Sequence, residues 1–405
     1  SLEEALVENP DDLAAHSAYA DYLMEQGDPR GELIQVQLAL EDPGRPAAER
    51  KQLQKREAEL LKQHGGQWLG DLGRFLVGPW SGPDKPYHYQ FARGWLDTLR
   101  VLPFHEAILA ALARAPEARL LRRLEVVYDM RYHPFNFDEF TEGPDKALRA
   151  GESQATHETV VLLPPLLESP YLTNLRAFKL GFSDAEESPR HSTMILTFEG
   201  CTTQQVLRLL QKCPRLEELY LNTSLAGVER LFASPQLGNF RVLQYYYGSR
   251  YYHDPNTPRD AYPLSALANN PSLNRLTTLR LHPGRDEDLP LNELTAVLRS
   301  SHLPSLTHLQ AHMSAFGDEA CRPIIESGVL RRLKVLDLAY GNMTDAGARQ
   351  LAACPDLKHL EVLNVSRNAL TDEGVAALRA TGVQVVADNQ HGPDDNDYLY
   401  EGDVE

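Results

Sequence analysis

The most informative feature of the chain is a short hydrophobic pattern, apolar-x-x-apolar-x-apolar, that returns at intervals. Its two most regular copies, at 333–338 and 360–365, start 27 residues apart. Each copy is followed by a Thr-Asp-x-Gly sequence and a stretch with helical spacing, over 345–353 and 372–379. Alternating apolar positions predict a strand, and apolar positions three and four residues apart predict a helix. A strand and a helix repeated at a fixed interval are typical of a solenoid.

Nine copies of the strand pattern can be placed along the chain. A single strand–helix unit cannot bury both of its apolar faces, so the units must stack into one continuous core. The parallel strands should line the concave side, with the helices on the convex side. Residues 383–387 are compatible with a last, degenerate strand. The nine copies are Trp95–Val101, Leu121–Val126, Leu175–Leu180, Leu216–Leu221, Phe240–Tyr245, Leu276–Leu281, Leu306–Ala311, Leu333–Leu338 and Leu360–Val365.

The two regular copies carry further details. Thr344 and Thr371 stand where a helix N-cap is expected, acidic residues follow in the first turn, and Asn368 follows a strand pattern. These residues resemble the leucine-rich repeats, specifically the ribonuclease-inhibitor-like subtype with a full helix in each repeat. The resemblance implies an α/β fold, a leucine-rich repeat solenoid with parallel strands concave and helices convex. It also implies a partner protein bound across the concave face.

The first 70 residues follow a different pattern, which predicts a small all-helical N-terminal domain. Asp28-Pro29 has the form of an N-cap with proline at the first helical position, and a third helix over about 46–64 should end at Gly65-Gly66. The run Tyr19–Gln37 resembles the bacterial repeat-companion domain that precedes repeat arrays in myxobacteria and planctomycetes, a family without established chemistry. We divide the chain into a helical domain (1–70), a linker (71–90), the solenoid (91–387) and an acidic tail or cap (388–405).

Four polar residues of the helical domain, Asp21, Asp28, Arg30 and Glu32, admit two interpretations. They could form a functional site of their own. Alternatively, they are helix caps and a helix-to-helix ion pair that close the end of the solenoid.

Composition narrows the class of partner and the compartment. The net charge of −17 disfavours nucleic acid and anionic membranes as partners. No apolar run reaches the roughly 18 residues of a membrane helix. The cysteines, Cys201, Cys213, Cys321 and Cys354, lack the spacing of a metal site and are expected as buried thiols between helices and strands. Reduced thiols fit a cytoplasmic protein.

The sequence contains no recognisable catalytic motif. A glycine-rich phosphate loop, HExxH, CxxC and a nucleophile elbow are all missing. We therefore expect no enzyme activity, no cofactor and no small-molecule substrate. His302, His308 and His312 lie near one strand pattern and admit a metal site, although structural or solvated roles are commoner for such histidines.

The remaining candidates lie on the surface of the solenoid. Because side chains alternate along a strand, the residue between the last two apolar positions of each copy should face the concave side. This concave row is polar, mixed in charge and different in every repeat. It consists of Arg100, Glu125, Lys179, Tyr220, Gln244, Arg280, Gln310, Asp337 and Asn364.

Long insertions follow several strands and should emerge at the carboxyl edge of the sheet, often a binding face in solenoids. Two of them, 128–157 and 246–263, combine tyrosines with arginine, as interface hot spots do. Alternatively, each insertion packs its own rings against the sheet. The partner-binding candidates are Tyr128, Arg131, Tyr132, Tyr220, Gln244, Tyr246, Arg250, Tyr251, Tyr252, Arg280, Gln310 and Asp337.

These observations favour a non-enzymatic protein–protein interaction module whose partner protein the sequence does not name. One alternative is a regulator, activating or inhibiting, of a small GTPase or a nuclease. An exposed arginine such as Arg131 or Arg250 would be its first feature to test. The other alternative is a structural scaffold within a larger complex.

Overall fold

The structure is a computed structural model. It describes residues 1–79, 81–82, 85, 87–101, 106–128, 157–161, 163–182, 195–199, 201–223, 225–246, 262–282, 289–312 and 317–392. The strands are β1 (His88–Ala92), β2 (Trp95–Val101), β3 (Arg123–Tyr128), β4 (His157–Val161), β5 (Ala177–Phe182), β6 (Ile195–Glu199), β7 (Glu218–Asn222), β8 (Val242–Tyr246), β9 (Thr278–His282), β10 (His308–Ala311), β11 (Val335–Asp337), β12 (Val362–Asn364) and β13 (Gln384–Val386).

The α-helices lie before and between these strands, with short 3₁₀ turns at several helix ends. They are α1 (Leu2–Glu8), α2 (Leu13–Glu25), α3 (Pro29–Glu41), α4 (Ala47–Trp68), α5 (Gly73–Leu76), α6 (Glu106–Arg114), α7 (Leu163–Glu168), α8 (Thr203–Lys212), α9 (Glu229–Phe232), α10 (Leu264–Ala268), α11 (Leu291–Arg299), α12 (Cys321–Ser327), α13 (Asp345–Ala352) and α14 (Asp372–Arg379).

One sheet of eleven strands runs through the described part of the chain, in the order β1-β2-β3-β5-β7-β8-β9-β10-β11-β12-β13. From β2 onward every neighbouring pair is parallel, so all nine predicted strands are confirmed, as is the degenerate strand β13. Two features were not predicted. β1 pairs antiparallel with β2 at the edge of the sheet, and β4 pairs with β6 in a separate two-stranded sheet.

The register of the solenoid core agrees with the hydrophobic pattern. The central apolar residue of every predicted strand is buried, and Leu336 is 0% exposed. Had the register been shifted by one residue, this set would face solvent and the concave assignments would be wrong. Leu338 and Val365 are likewise buried against the helices.

The Thr-Asp-x-Gly sequence links each helix to the preceding repeat. Thr344 and Thr371 are the N-caps of α13 and α14, as predicted. The carboxylate of Asp318 accepts hydrogen bonds from Thr344 N (2.9 Å), Thr344 Oγ1 (2.7 Å) and Gly347 N (3.0 Å). Glycine is required at 347 because a Cβ there would lie 2.2 Å from an Asp318 oxygen. Asp345 repeats the arrangement toward Thr371.

The helices α1–α5 close the first end of the solenoid. Arg30 Nε donates to Gly94 O at 2.7 Å, and its guanidinium lies 4.1 Å from the ring centroid of Trp95. Asp28 caps α3, and Glu32 forms an ion pair of 2.6 Å with Arg56 of α4. The structural interpretation therefore holds for Asp28 and Glu32.

One predicted boundary of this region is wrong. Helix α4 does not end at Gly65-Gly66 but continues to Trp68. Trp68 is 8% exposed and contacts Phe91 at 6.2 Å between ring centroids. Burial of this ring outweighs the roughly 1 kcal/mol that each glycine costs inside a helix.

Candidate functional site

The concave row predicted from the sequence is a continuous line across the sheet. The register pairs Arg100 with Glu125, and then each member of the row with the next one along the chain, as far as Asn364. The row divides into two chemically different halves, which meet near β8.

The first half is a network of paired charges. Glu125 accepts from Arg100 Nε at 2.8 Å and from Arg123 Nε at 2.9 Å, while Arg123 Nη1 reaches Glu218 at 3.2 Å. Tyr220 donates its hydroxyl to Glu218 at 2.8 Å. Burial by itself raises the pKa of Glu125, but the hydrogen bonds and charges of the two arginines hold it below its ordinary value.

Gln244, at the junction, departs from its predicted role. Its side chain is 0% exposed, so it does not present a contact to a partner. Its Nε2 donates to Asn222 Oδ1 at 2.8 Å, and its Oε1 accepts from Arg280 Nη1 at 3.5 Å. The amide is buried because it satisfies polar neighbours on both adjacent strands. Gln244 therefore helps to position Arg280.

The second half carries rings, which we call the aromatic stripe: Tyr246, His282, His312 and Tyr340. They come from successive repeats, at the ends of β8 and β9 and just after β10 and β11, and each is half-buried. The ring centroids are 5.3 Å apart from Tyr246 to His282, 5.5 Å from His282 to His312 and 5.2 Å from His312 to Tyr340. Arg367 continues the line, with its guanidinium 5.1 Å from the Tyr340 centroid.

Hydrogen bonds hold the aromatic stripe against the concave row. Gln310 Nε2 lies 2.6 Å from Tyr246 Oη and 3.1 Å from His312 Nδ1. His312 Nε2 lies 3.0 Å from Asp337 Oδ1, which also accepts from Ala339 N at 3.0 Å. Burial raises the pKa of Asp337, but these contacts outweigh it and the pKa is lower than usual. Gln310 and Asp337 thus orient the rings.

Of the aromatic stripe, the sequence predicted only Tyr246 as a binding residue, and His312 only as a candidate metal ligand. The signal of the stripe was present, because His282, His312, Tyr340 and Arg367 all follow the third apolar position of their repeats by one or two residues. Tyr340 and Arg367 also share a left-handed backbone conformation, with φ of 56° and 52°. This conformation is uncommon for residues other than glycine and could not be predicted from the sequence.

The insertion that follows β8 is anchored by buried rings at both ends. Tyr245 is 0% exposed and packs edge-on against Phe232, with centroids 5.4 Å apart. Tyr262 is 2% exposed and donates its hydroxyl to Tyr245 O, while His282 N donates to the same hydroxyl at 3.2 Å. These two tyrosines are therefore part of the solenoid core, and the self-packing alternative for the insertion between them stays a prediction.

Several predicted binding residues are not placed by the structure. Tyr128 ends β3, and its side chain is not described. The other five, Arg131, Tyr132, Arg250, Tyr251 and Tyr252, lie outside the described residues.

The described histidines and cysteines do not form a metal centre. Within the part of the chain that the structure describes, no group of three or more His, Cys, Asp or Glu side chains could hold an ion. His308 Nδ1 instead lies 2.9 Å from Thr307 Oγ1. The four cysteines are free thiols, and burial raises the pKa of Cys213 to about 12. None of the helices among the described residues is long and apolar enough to cross a membrane.

Comparison with known proteins finds leucine-rich repeats within the solenoid. A leucine-rich repeat family model matches residues 330–352 and 356–378. Among solved structures, the chain is similar to a Bacteroides fragilis protein with 20% identity over 57% of this chain and 70% of that chain, at a TM-score of 0.38. An internalin from Listeria monocytogenes shows 14% identity over 69% of both chains, at a TM-score of 0.33. No curated protein matches the sequence.

Proposed function

We propose that this leucine-rich repeat solenoid is a non-enzymatic module that binds a partner protein. Leucine-rich repeats generally mediate protein–protein interaction, and residues 330–378 contain two matched repeats. The finer proposal is that the partner lies across the second half of the concave face and the strand-end loops. We place the protein in the cytoplasm, since its free cysteines fit a reducing compartment. We also propose the ribonuclease-inhibitor-like subtype and a repeat-companion domain over 1–70.

The observation that carries this proposal is the aromatic stripe. The core of the solenoid lies between sheet and helices, so packing does not require rings on the concave side. Nevertheless four successive repeats place a tyrosine or histidine there, half-buried and oriented by hydrogen bonds. Aromatic side chains that are already ordered bury a large area at low entropic cost when a partner covers them.

The test is differential capture from lysate of the native organism, quantified by mass spectrometry. The bait variant Tyr246→Ala/His282→Ala removes two adjacent rings. The control variant Arg349→Ala/Arg379→Ala changes two exposed residues on the convex helices α13 and α14. We expect at least one protein to be retained by wild type and by the control but lost with the ring variant. If the captured protein is lost with the convex variant, or is retained by both variants, the partner binds elsewhere on the molecule.

The same experiment addresses the alternatives. Capture of a small GTPase or a nuclease, followed by altered activity of that enzyme, would support the regulatory role. Several proteins retained simultaneously at independent surfaces would support a scaffold. Neither alternative is favoured by a specific contact within the described residues, because Arg131 and Arg250 lie outside them.

A further inference from the structure

Arg280 differs from the arginines in the first half of the concave face. Arg100 and Arg123 each contact a carboxylate at 2.9 Å or less. Arg280 is exposed, and its one hydrogen bond to a described residue, Gln244 Oε1, is 3.5 Å long, at the outer limit for such a bond. Within the described residues it forms no ion pair. A buried amide thus holds an exposed guanidinium on the concave face without neutralising it.

The described residues around Arg280 do not supply a pairing carboxylate. Among the described concave positions of β8–β12, the one carboxylate is Asp337, and it already contacts His312 and the amide of Ala339. Asp337 is thus engaged by other groups, and no described carboxylate of β8–β12 forms an ion pair with Arg280.

A partner that covers the second half of the concave face also buries the guanidinium of Arg280 and must supply a group that pairs with its charge. Burying an unpaired charge is energetically unfavourable, and the attraction of an opposite charge offsets that penalty. A carboxylate matches the guanidinium with two parallel hydrogen bonds. A basic segment would be repelled, and a neutral one would leave Arg280 desolvated and unpaired.

We propose that the second half of the concave face docks an acidic peptide segment that contains aromatic side chains. A carboxylate of the segment binds Arg280, and its rings pack on the aromatic stripe, where His282 ends the strand that carries Arg280 and Tyr246 lies on the neighbouring strand. This inference rests on the proposed function and names the chemistry of the partner.

The test selects ligands from a random dodecapeptide library displayed on phage, with the full chain immobilised. The affinity of the enriched peptides, made synthetically, is then measured by fluorescence polarisation. We expect a consensus with two or more carboxylates next to a tyrosine, phenylalanine or tryptophan. Arg280→Gln should weaken binding at least tenfold, and Arg280→Lys should weaken it less, because charge is kept while the bidentate geometry is lost.

Arg275 provides a matched control. It is an exposed arginine just before β9, and it too donates one hydrogen bond of 3.5 Å to an amide of the preceding repeat, from Nη1 to Asn239 Oδ1. Arg275→Gln should leave peptide affinity unchanged. Thermal unfolding of both glutamine variants should match wild type, which separates a binding effect from misfolding.

Three outcomes would overturn the inference. They are a neutral or basic consensus, acidic peptides whose affinity is unaffected by Arg280→Gln, and no enrichment at all. The first, with binding that still depends on Tyr246 and His282, would leave the proposed function standing while refuting the acidic partner. Loss of lysate capture by wild type is the separate result that would count against the proposed function itself.

Discussion

Replacing Asn368 by alanine should be among the most destabilising single changes in the regular repeats. This side chain is 1% exposed. Its Oδ1 accepts from Met343 N at 2.9 Å, and its Nδ2 donates to Leu338 O at 2.9 Å and to Val365 O and Ser366 O, each at 3.2 Å. The amide therefore ties two neighbouring repeats together where the chain leaves their strands.

The magnitude follows from which groups would lose their last partner. Val365 O also accepts from Gln390 Nε2 at 2.9 Å, and Ser366 O accepts from Tyr340 N at 3.1 Å, so both stay bonded. Met343 N–H and Leu338 C=O would be left without a partner. Each unsatisfied buried group costs about 1–3 kcal/mol, so Asn368→Ala should lower the free energy of unfolding by roughly 2–6 kcal/mol.

The assay is urea unfolding followed by circular dichroism, with hydrogen exchange read by mass spectrometry over 338–370. Asn292→Ala is the control, since Asn292 is exposed on α11 and its loss should change stability by no more than about 0.5 kcal/mol. Asn368→Asp should keep the bond from Met343 N but turn a second oxygen toward the carbonyls, so it should not rescue stability at neutral pH. A loss below about 1 kcal/mol for Asn368→Ala, with unchanged exchange at Met343, would refute this reasoning.

Three further predictions concern the core, the charge network and the insertion. Leu336→Ala should cost about 2–5 kcal/mol in the same unfolding assay, because the side chain is fully buried. Glu125→Gln should cost about 1–3 kcal/mol near pH 7. The pKa of Glu125 is lowered in the folded state, so the extra stability of wild type over Glu125→Gln should be complete above the ordinary pKa of glutamate. It should vanish as the pH falls through the folded-state pKa, and thermal unfolding of both proteins across about pH 3–7 would show this. Tyr251→Ala/Tyr252→Ala should weaken partner binding by more than about 2 kcal/mol while changing stability by less; a lowered melting temperature with unchanged affinity would favour self-packing.

The elements of the solenoid could be predicted because their signals are local. Apolar positions with period two and the Thr-Asp-x-Gly sequence fix the strands and caps, down to Leu336 in the core and Thr344 as an N-cap. Antiparallel β1 was missed because it belongs to no repeat, and its strand pairs through a turn at Arg93-Gly94. The end of α4 was missed because a distant contact, from Trp68 to Phe91, overrides the two glycines.

The sequence predicted where the candidate surface lies, but not which of its side chains are buried or in contact with one another. Alternation placed Gln244 and Arg280 on one row, and the register confirms this. The sequence could not show that Gln244 is buried, because that depends on its bond to Asn222 two strand positions away on β7. Nor could it show that the rings after β9–β11 touch, since residues such as His282 and Tyr340 are 58 positions apart and meet only when the repeats stack.

The two halves of the concave face should contribute unequally to binding, for a physical reason. In the first half Arg123 and Glu125 already satisfy one another, so a partner must break or bury these pairs and gains little in return. In the second half the rings expose apolar area without needing new polar partners, and Arg280 gains an ion pair that no described residue supplies. Affinity should therefore concentrate around β8–β12, with the first half contributing mainly to stability and to the exclusion of partners whose charges do not match.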